Sequence, residues 1–175
     1  MLLFVYGTLR REFNNENSNK LNDLSKWIGK AIVPNAKLYY IRGEEFDYPA
    51  MVLQMNKHSM RNFLHFHTTK ICSNMSVIGD VFNLSDPESM FLWLDEYEEC
   101  GPGNPQPTEY LRKQVKAKLI NDLNETNENC WITVYTYIWN WPVENENGDL
   151  ISPVKEFIES GDWNEWIFVL PISIF

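Results

Sequence analysis

Apolar and polar positions divide the chain into short segments. Residues 2–6, Leu-Leu-Phe-Val-Tyr, form an unbroken apolar run that stops at Gly7-Thr8, which predicts a buried strand entering a turn. Residues 10–22 are polar and rich in Asn, the pattern of a loop or a weak helix start. Leu21, Leu24, Trp27 and Ile28 recur at helical spacing, and Gly29 reads as the end of that helix. Pro34-Asn35 is a turn signal between two strand candidates, 31–33 and 37–41. Residues 48–53 are a further short apolar segment. Residues 76–82 read as a strand whose interior Gly79 implies a bulge or the close approach of another group.

The second half carries the clearest helix, 85–99. Ser85 and Glu88 match a capping box, and Pro87 falls in the first turn, where its missing N–H costs nothing. Residues 101–107, Gly-Pro-Gly-Asn-Pro-Gln-Pro, exclude regular structure. Residues 110–120 alternate in part and predict a strand, 121–129 a polar loop, and 130–139, dense in β-branched and aromatic side chains, another strand. Ser152-Pro153 reads as the opening of a short helix closed by Gly161. Scattered strands with few helices and no internal repeat predict one α+β domain over 1–175, built on a small mixed sheet that is curved or barrel-like.

Composition narrows the possible functions. The 175 residues hold 15 Lys and Arg against 24 Asp and Glu, a net charge of −9, which argues against a protein that grips nucleic-acid phosphates. With 44% hydrophobic residues, a chain of this length can build a core without disulfides or metal. Cys72, Cys100 and Cys130 form no C-x-x-C pair, and an odd count suits a reducing compartment. The opening residues lack a basic stretch and a cleavage site, and the apolar run 166–175, interrupted by Pro171, is too short to span a bilayer. The expectation is a soluble cytoplasmic protein without membrane partners. Its oligomeric state is not legible.

Candidate chemistry lies at two places. On a helix over 85–99, Met90, Trp93, Leu94 and Tyr97 share one arc of roughly 100° that should face the core. Among the acids of Asp95-Glu96-Tyr97-Glu98-Glu99, Glu98 alone turns toward that interior, beside Phe91. Desolvation there would raise its pKa and suit it to general acid/base work. The plainer alternative is a solvated helix edge, or an ion pair with Arg112. The second place is Tyr6-Gly7-Thr8-Leu9, where a glycine at a strand end permits a sharp turn whose free N–H groups can bind an anion. The alternative is an ordinary strand-to-loop turn. His65 and His67 lack a third ligand at recognisable spacing, so no metal is expected. His58 reads as a surface residue. No cysteine is marked as a nucleophile, and Trp163, Trp166 and Phe168 read as core.

A set of short motifs follows in order: 4–10 (Phe-Val-Tyr-Gly-Thr-Leu-Arg), Tyr48-Pro49-Ala50, Gly79-Asp80-Val81-Phe82, Leu94-Asp95-Glu96-Tyr97-Glu98, Tyr110-Leu111-Arg112 and Val134-Tyr135. Together they resemble the γ-glutamylcyclotransferase-like superfamily, within it the branch of γ-glutamylamine cyclotransferases, BtrG-like and plant AIG2-like proteins. The resemblance implies a mixed α+β fold around a small curved sheet with a cavity. It implies cleavage of a γ-glutamyl amide into 5-oxoproline and a free amine, with no cofactor or metal and a small γ-glutamyl molecule as partner. It also implies Glu98 as the catalytic acid/base, and Tyr6, Gly7, Thr8 and Leu9 as the turn that binds the glutamyl end, with Tyr110 a further pocket residue. Two other functions fit the same residues: a non-catalytic module binding a small metabolite or peptide, and an amide-cleaving enzyme acting on a γ-glutamylated natural product. The chain departs from the family in having Glu99 where glycine often follows the glutamate, in the long Pro-rich stretch 99–108, and in a polar insertion at 14–19. Glu99 is expected to raise the pKa of Glu98 by like-charge repulsion.

Overall fold

A computed structural model describes residues 1–44, 46–54, 76–121 and 126–169. Five strands close into a barrel in the order β1-β5-β2-β6-β7: β1 Leu2–Val5, β2 Ser25–Pro34, β5 Ser76–Leu84, β6 Tyr110–Ile120 and β7 Thr126–Trp139. All neighbours run antiparallel except β1 and β7, which pair in parallel at Leu3 and Tyr135. A second sheet, in the order β4-β3-β8, comprises β3 Ala36–Arg42, β4 Asp47–Leu53 and β8 Val154–Ile158. The helices are α1 Glu16–Leu24, α2 Pro87–Tyr97 and α3 Trp163–Val169, with a 3-10 turn at Arg11–Phe13. None of the described helices is long and apolar enough to cross a membrane. The expected α+β class with a barrel-like sheet is what the chain adopts.

The apolar run of β1 is buried from Leu3 to Val5 because it sits between β5 and β7 inside the closed ring. Gly79 of β5 faces it. A Cβ there would run into the Val5 carbonyl oxygen and the Phe4 ring, which accounts for the interior glycine. Two apolar clusters fill the protein. One centres on Leu3, Phe82, Leu94, Tyr110 and Trp139, the other on Phe4, Val81, Val134 and Trp163.

Several elements differ from the sequence pattern. The helical spacing at Leu21 holds only to Leu24. Trp27 and Ile28 lie on β2, whose pairing with β5 shifts register between Trp27 and Gly29, so Gly29 marks a bulge and not a helix end. The segment opened by Ser152-Pro153 is the strand β8. It pairs antiparallel with β3 and skips Lys155, with Tyr40 opposite Glu156 and Ile41 opposite Val154, so Ser152-Pro153 and Gly161 bound a strand and not a helix. Strand β7 begins inside the expected loop, at Thr126. The helix cap is Asp86, one residue past Ser85, and its carboxylate accepts from Ser89 N (3.3 Å) and Oγ (2.7 Å).

Candidate active site

The end of α2 brings Glu98 to the barrel. Met90, Phe91 and Leu94 are buried and Trp93 is half-buried, while Tyr97, expected in the core, is 37% exposed. Glu98 is the C-cap, with φ −89° and ψ 9°, and its N–H donates to Leu94 O at 2.9 Å. The residue is half-buried, but its carboxyl is desolvated, and burial pushes its pKa from 4.5 to about 8. No hydrogen bond or cation among the described residues offsets that burial. Glu99, expected to add like-charge repulsion, is not a cause. It turns away through a left-handed backbone (φ 50°), and its charge bears on Tyr48 and Glu109. Arg112, the alternative partner of Glu98, pairs with Asp95 at 3.2 Å.

Asp95, one turn before Glu98, fastens the helix end to both long strands. Beyond Arg112 of β6, it accepts from the Tyr137 hydroxyl of β7 at 2.7 Å and from Cys100 Sγ at 3.5 Å. Burial and the Asp95 carboxylate push the Cys100 thiol up to about 12, which leaves it protonated and unreactive.

The corner at residues 6–9 is the second component. Its turn is closed by Arg10 N donating to Gly7 O at 3.0 Å, and Asn15 Nδ2 donates to Thr8 O at 2.7 Å. The N–H groups of Gly7, Thr8 and Leu9 have no acceptor among the described residues. The Tyr6 hydroxyl is fully used inside the protein, donating to Tyr137 O (2.8 Å) and accepting from Met51 N (3.3 Å). The Tyr110 hydroxyl donates to Pro49 O at 2.9 Å. Pro49 packs on the corner so closely that a Cβ on Gly7 would lie 2.7 Å from its Cγ. Tyr6 and Tyr110 thus hold β4 against the corner. Burial raises the hydroxyl pKa of both tyrosines, and the Glu98 charge raises them further, so Glu98, the corner and Tyr110 share one region.

Arg10 anchors the corner from behind. It is fully buried, with Nε 3.3 Å from Asp80 Oδ2 on β5 and Nη1 2.5 Å from Asp162 Oδ1 just before α3. Asp80 also accepts from Trp27 Nε1 at 3.2 Å and Arg11 N at 3.3 Å. Sequence pattern gave no sign of this network, because its members lie 70 and 152 residues apart. A side-chain contact was missed as well: Thr8 Oγ1 and Tyr97 Oη lie 3.1 Å apart and join the corner to the helix end that carries Glu98.

Other candidates lie elsewhere. His58, His65, His67 and Cys72 fall outside the described residues, and among the described residues no three His, Cys, Asp or Glu side chains are grouped to hold a metal. Trp163 is buried and Trp166 half-buried against Tyr40, as core residues would be. An open cleft of about 350 Å³ runs beside Phe91, Leu92, Asp95 and Arg112, and none of the corner residues lines it.

The family model described as "Gamma-glutamyl cyclotransferase, AIG2-like" matches residues 3–165. No curated protein matches the sequence. Among solved structures, an AIG2-like protein from Mus musculus is 18% identical with a TM-score of 0.51, over 87% of this chain and 95% of that one. An allophanate hydrolase from Kluyveromyces lactis is 14% identical with a TM-score of 0.52, over 95% of this chain and 21% of that one. At these identities the structures establish a shared fold.

Proposed function

From a chain that belongs to the gamma-glutamyl cyclotransferase, AIG2-like family, we infer an enzyme that converts a γ-glutamyl amine, amino acid or peptide into 5-oxoproline and a free amine. The observation that carries this reading is a carboxyl that burial pushes up to about 8, beside a turn three of whose N–H groups have no acceptor among the described residues. An α-amine titrates near pH 8. A carboxylate of similar basicity can take a proton from the substrate ammonium and return it with little energetic loss in either direction.

The step balances without water. Glu98 accepts a proton from the glutamyl α-ammonium, and the freed amine attacks its own γ-carbonyl carbon, forming the ring C–N bond. Electrons shift onto the carbonyl oxygen and return as the amide C–N bond breaks. The departing nitrogen takes that proton from Glu98 as the bond breaks, and the ring nitrogen gives up its second proton to the freed Glu98 carboxylate, which passes it to the released amine, so the products are a neutral lactam nitrogen and an ammonium. The N–H groups of Gly7, Thr8 and Leu9 bind the α-carboxylate, and Tyr6 and Tyr110 act by keeping Pro49 against that turn. Holding the glutamyl chain curled supports a near-attack geometry, for which effective molarities on the order of 10⁵ M are attainable.

The test is turnover of a γ-glutamyl-amine panel, read as 5-oxoproline. Wild type should be active, with kcat/KM falling about tenfold per pH unit below about 8, and Glu98→Gln should lose at least ~10²-fold. Activity that survives the substitution would remove Glu98 from the mechanism.

A further inference from the structure

The contact between Thr8 and Tyr97 has a hydrogen to spare. Two hydroxyls carry two hydrogens, and the 3.1 Å bond between them uses one. Neither oxygen has another partner among the described residues, so one O–H remains free beside the turn and Glu98. Which one is set by acidity: a phenol, with an ordinary pKa near 10, is a far better donor than an aliphatic alcohol. Burial raises Tyr97 above its ordinary value, so it stays protonated at neutral pH. Either oxygen could donate across 3.1 Å; the stronger acid favours Tyr97 Oη as the donor to Thr8 Oγ1, an arrangement that leaves the Thr8 hydrogen over. It belongs to the same residue as one of the three N–H groups that have no acceptor among the described residues.

We propose that Tyr97 is a positioning residue: by donating to Thr8 Oγ1 it turns the Thr8 hydroxyl into a fourth donor for the carboxylate of the bound glutamyl group. This rests on the reading of the turn as the carboxylate site. It assigns the Tyr97 hydroxyl to ligand orientation and leaves proton transfer to Glu98. The contact reaches the surface, so a ligand can meet it without opening the core.

The experiment measures binding of 5-oxoproline and of its carboxamide by titration calorimetry, together with kcat and KM on a γ-glutamyl amine. Wild type should favour the carboxylate. Thr8→Val should weaken that preference about tenfold or more, the scale of one hydrogen bond to a charged group. Tyr97→Phe, which keeps the ring, should weaken it roughly three- to tenfold. The double variant should be no worse than Thr8→Val, because the two side chains act as one unit. Thr8→Ser should restore the preference, and the fall in rate below pH 8 should persist in Tyr97→Phe. A Tyr97→Phe protein with wild-type preference and KM, or effects that add, overturns this proposal while catalysis by Glu98 stands. Wild type that neither binds 5-oxoproline nor releases it refutes the carboxylate site itself, and the proposal with it.

Discussion

Replacing Glu98 by Gln should make the fold less sensitive to alkaline pH. Burial holds the carboxyl at about 8 in the folded protein, against 4.5 ordinarily. Between these values the folded chain binds a proton that the unfolded chain has lost, so stability falls as pH rises from about 4.5 to about 8. At about 1.36 kcal/mol per pH unit, the full interval corresponds to at most ~4–5 kcal/mol. The residue keeps some contact with solvent, which reduces this to ~2–4 kcal/mol. Gln cannot ionise and escapes the loss. Urea unfolding of both proteins at pH 5, 7 and 9 isolates the effect, since every other titrating group, Glu109 included, cancels in the difference. The variant should gain on wild type by ~2–4 kcal/mol between pH 5 and pH 9 at unchanged denaturant slope. Expressed as melting temperature, the gain is roughly 4–16 °C for a chain of this size. Two profiles that run parallel to within ~0.5 kcal/mol would mean that the carboxyl is solvated, and the argument for its altered basicity would fail. Stability and catalysis should move in opposite directions: the substitution that strengthens the fold at high pH abolishes turnover.

Two further outcomes follow from the packing. Arg10→Met should cost about 3–5 kcal/mol in urea unfolding, because Asp80 and Asp162 would each lose a buried cation; a loss under 1 kcal/mol would show that the network is dispensable. Gly7→Ala should destabilise by about 1–3 kcal/mol and raise KM, because the new methyl meets Pro49 Cγ at 2.7 Å and displaces β4 from the turn; wild-type kinetics would contradict that contact.

Much of the fold was legible because local chemistry and tertiary demand coincided. The helix α2 carries its own start signal, and β7 is dense in β-branched and aromatic side chains from residue 130 on. The misreadings arose where pairing with a distant strand overrode local spacing. Trp27 continues a helical rhythm from Leu21, yet β5 recruits it into the barrel. Ser152-Pro153 and Gly161 read as helix ends, yet β3 recruits the residues between them into β8. Helical phase turned Glu98 toward the interior although the helix ends at Tyr97, since the C-cap prolongs the same rotation for one residue. Phase did mislead at Tyr97, whose hydroxyl reaches outward to Thr8 instead of filling the core. The Arg10 network left no trace in the sequence pattern, because buried ion pairs follow from topology and not from periodicity.

That network also has a history in time. Arg10 is synthesised 152 residues ahead of Asp162. At about 5–20 residues per second, the guanidinium waits roughly 8–30 s for its second carboxylate. During that interval the buried guanidinium has Asp80 but lacks Asp162, so burying its charge is costly until the second carboxylate arrives. The turn at residues 6–9 is therefore fastened from behind only once the segment that leads into α3 has been made.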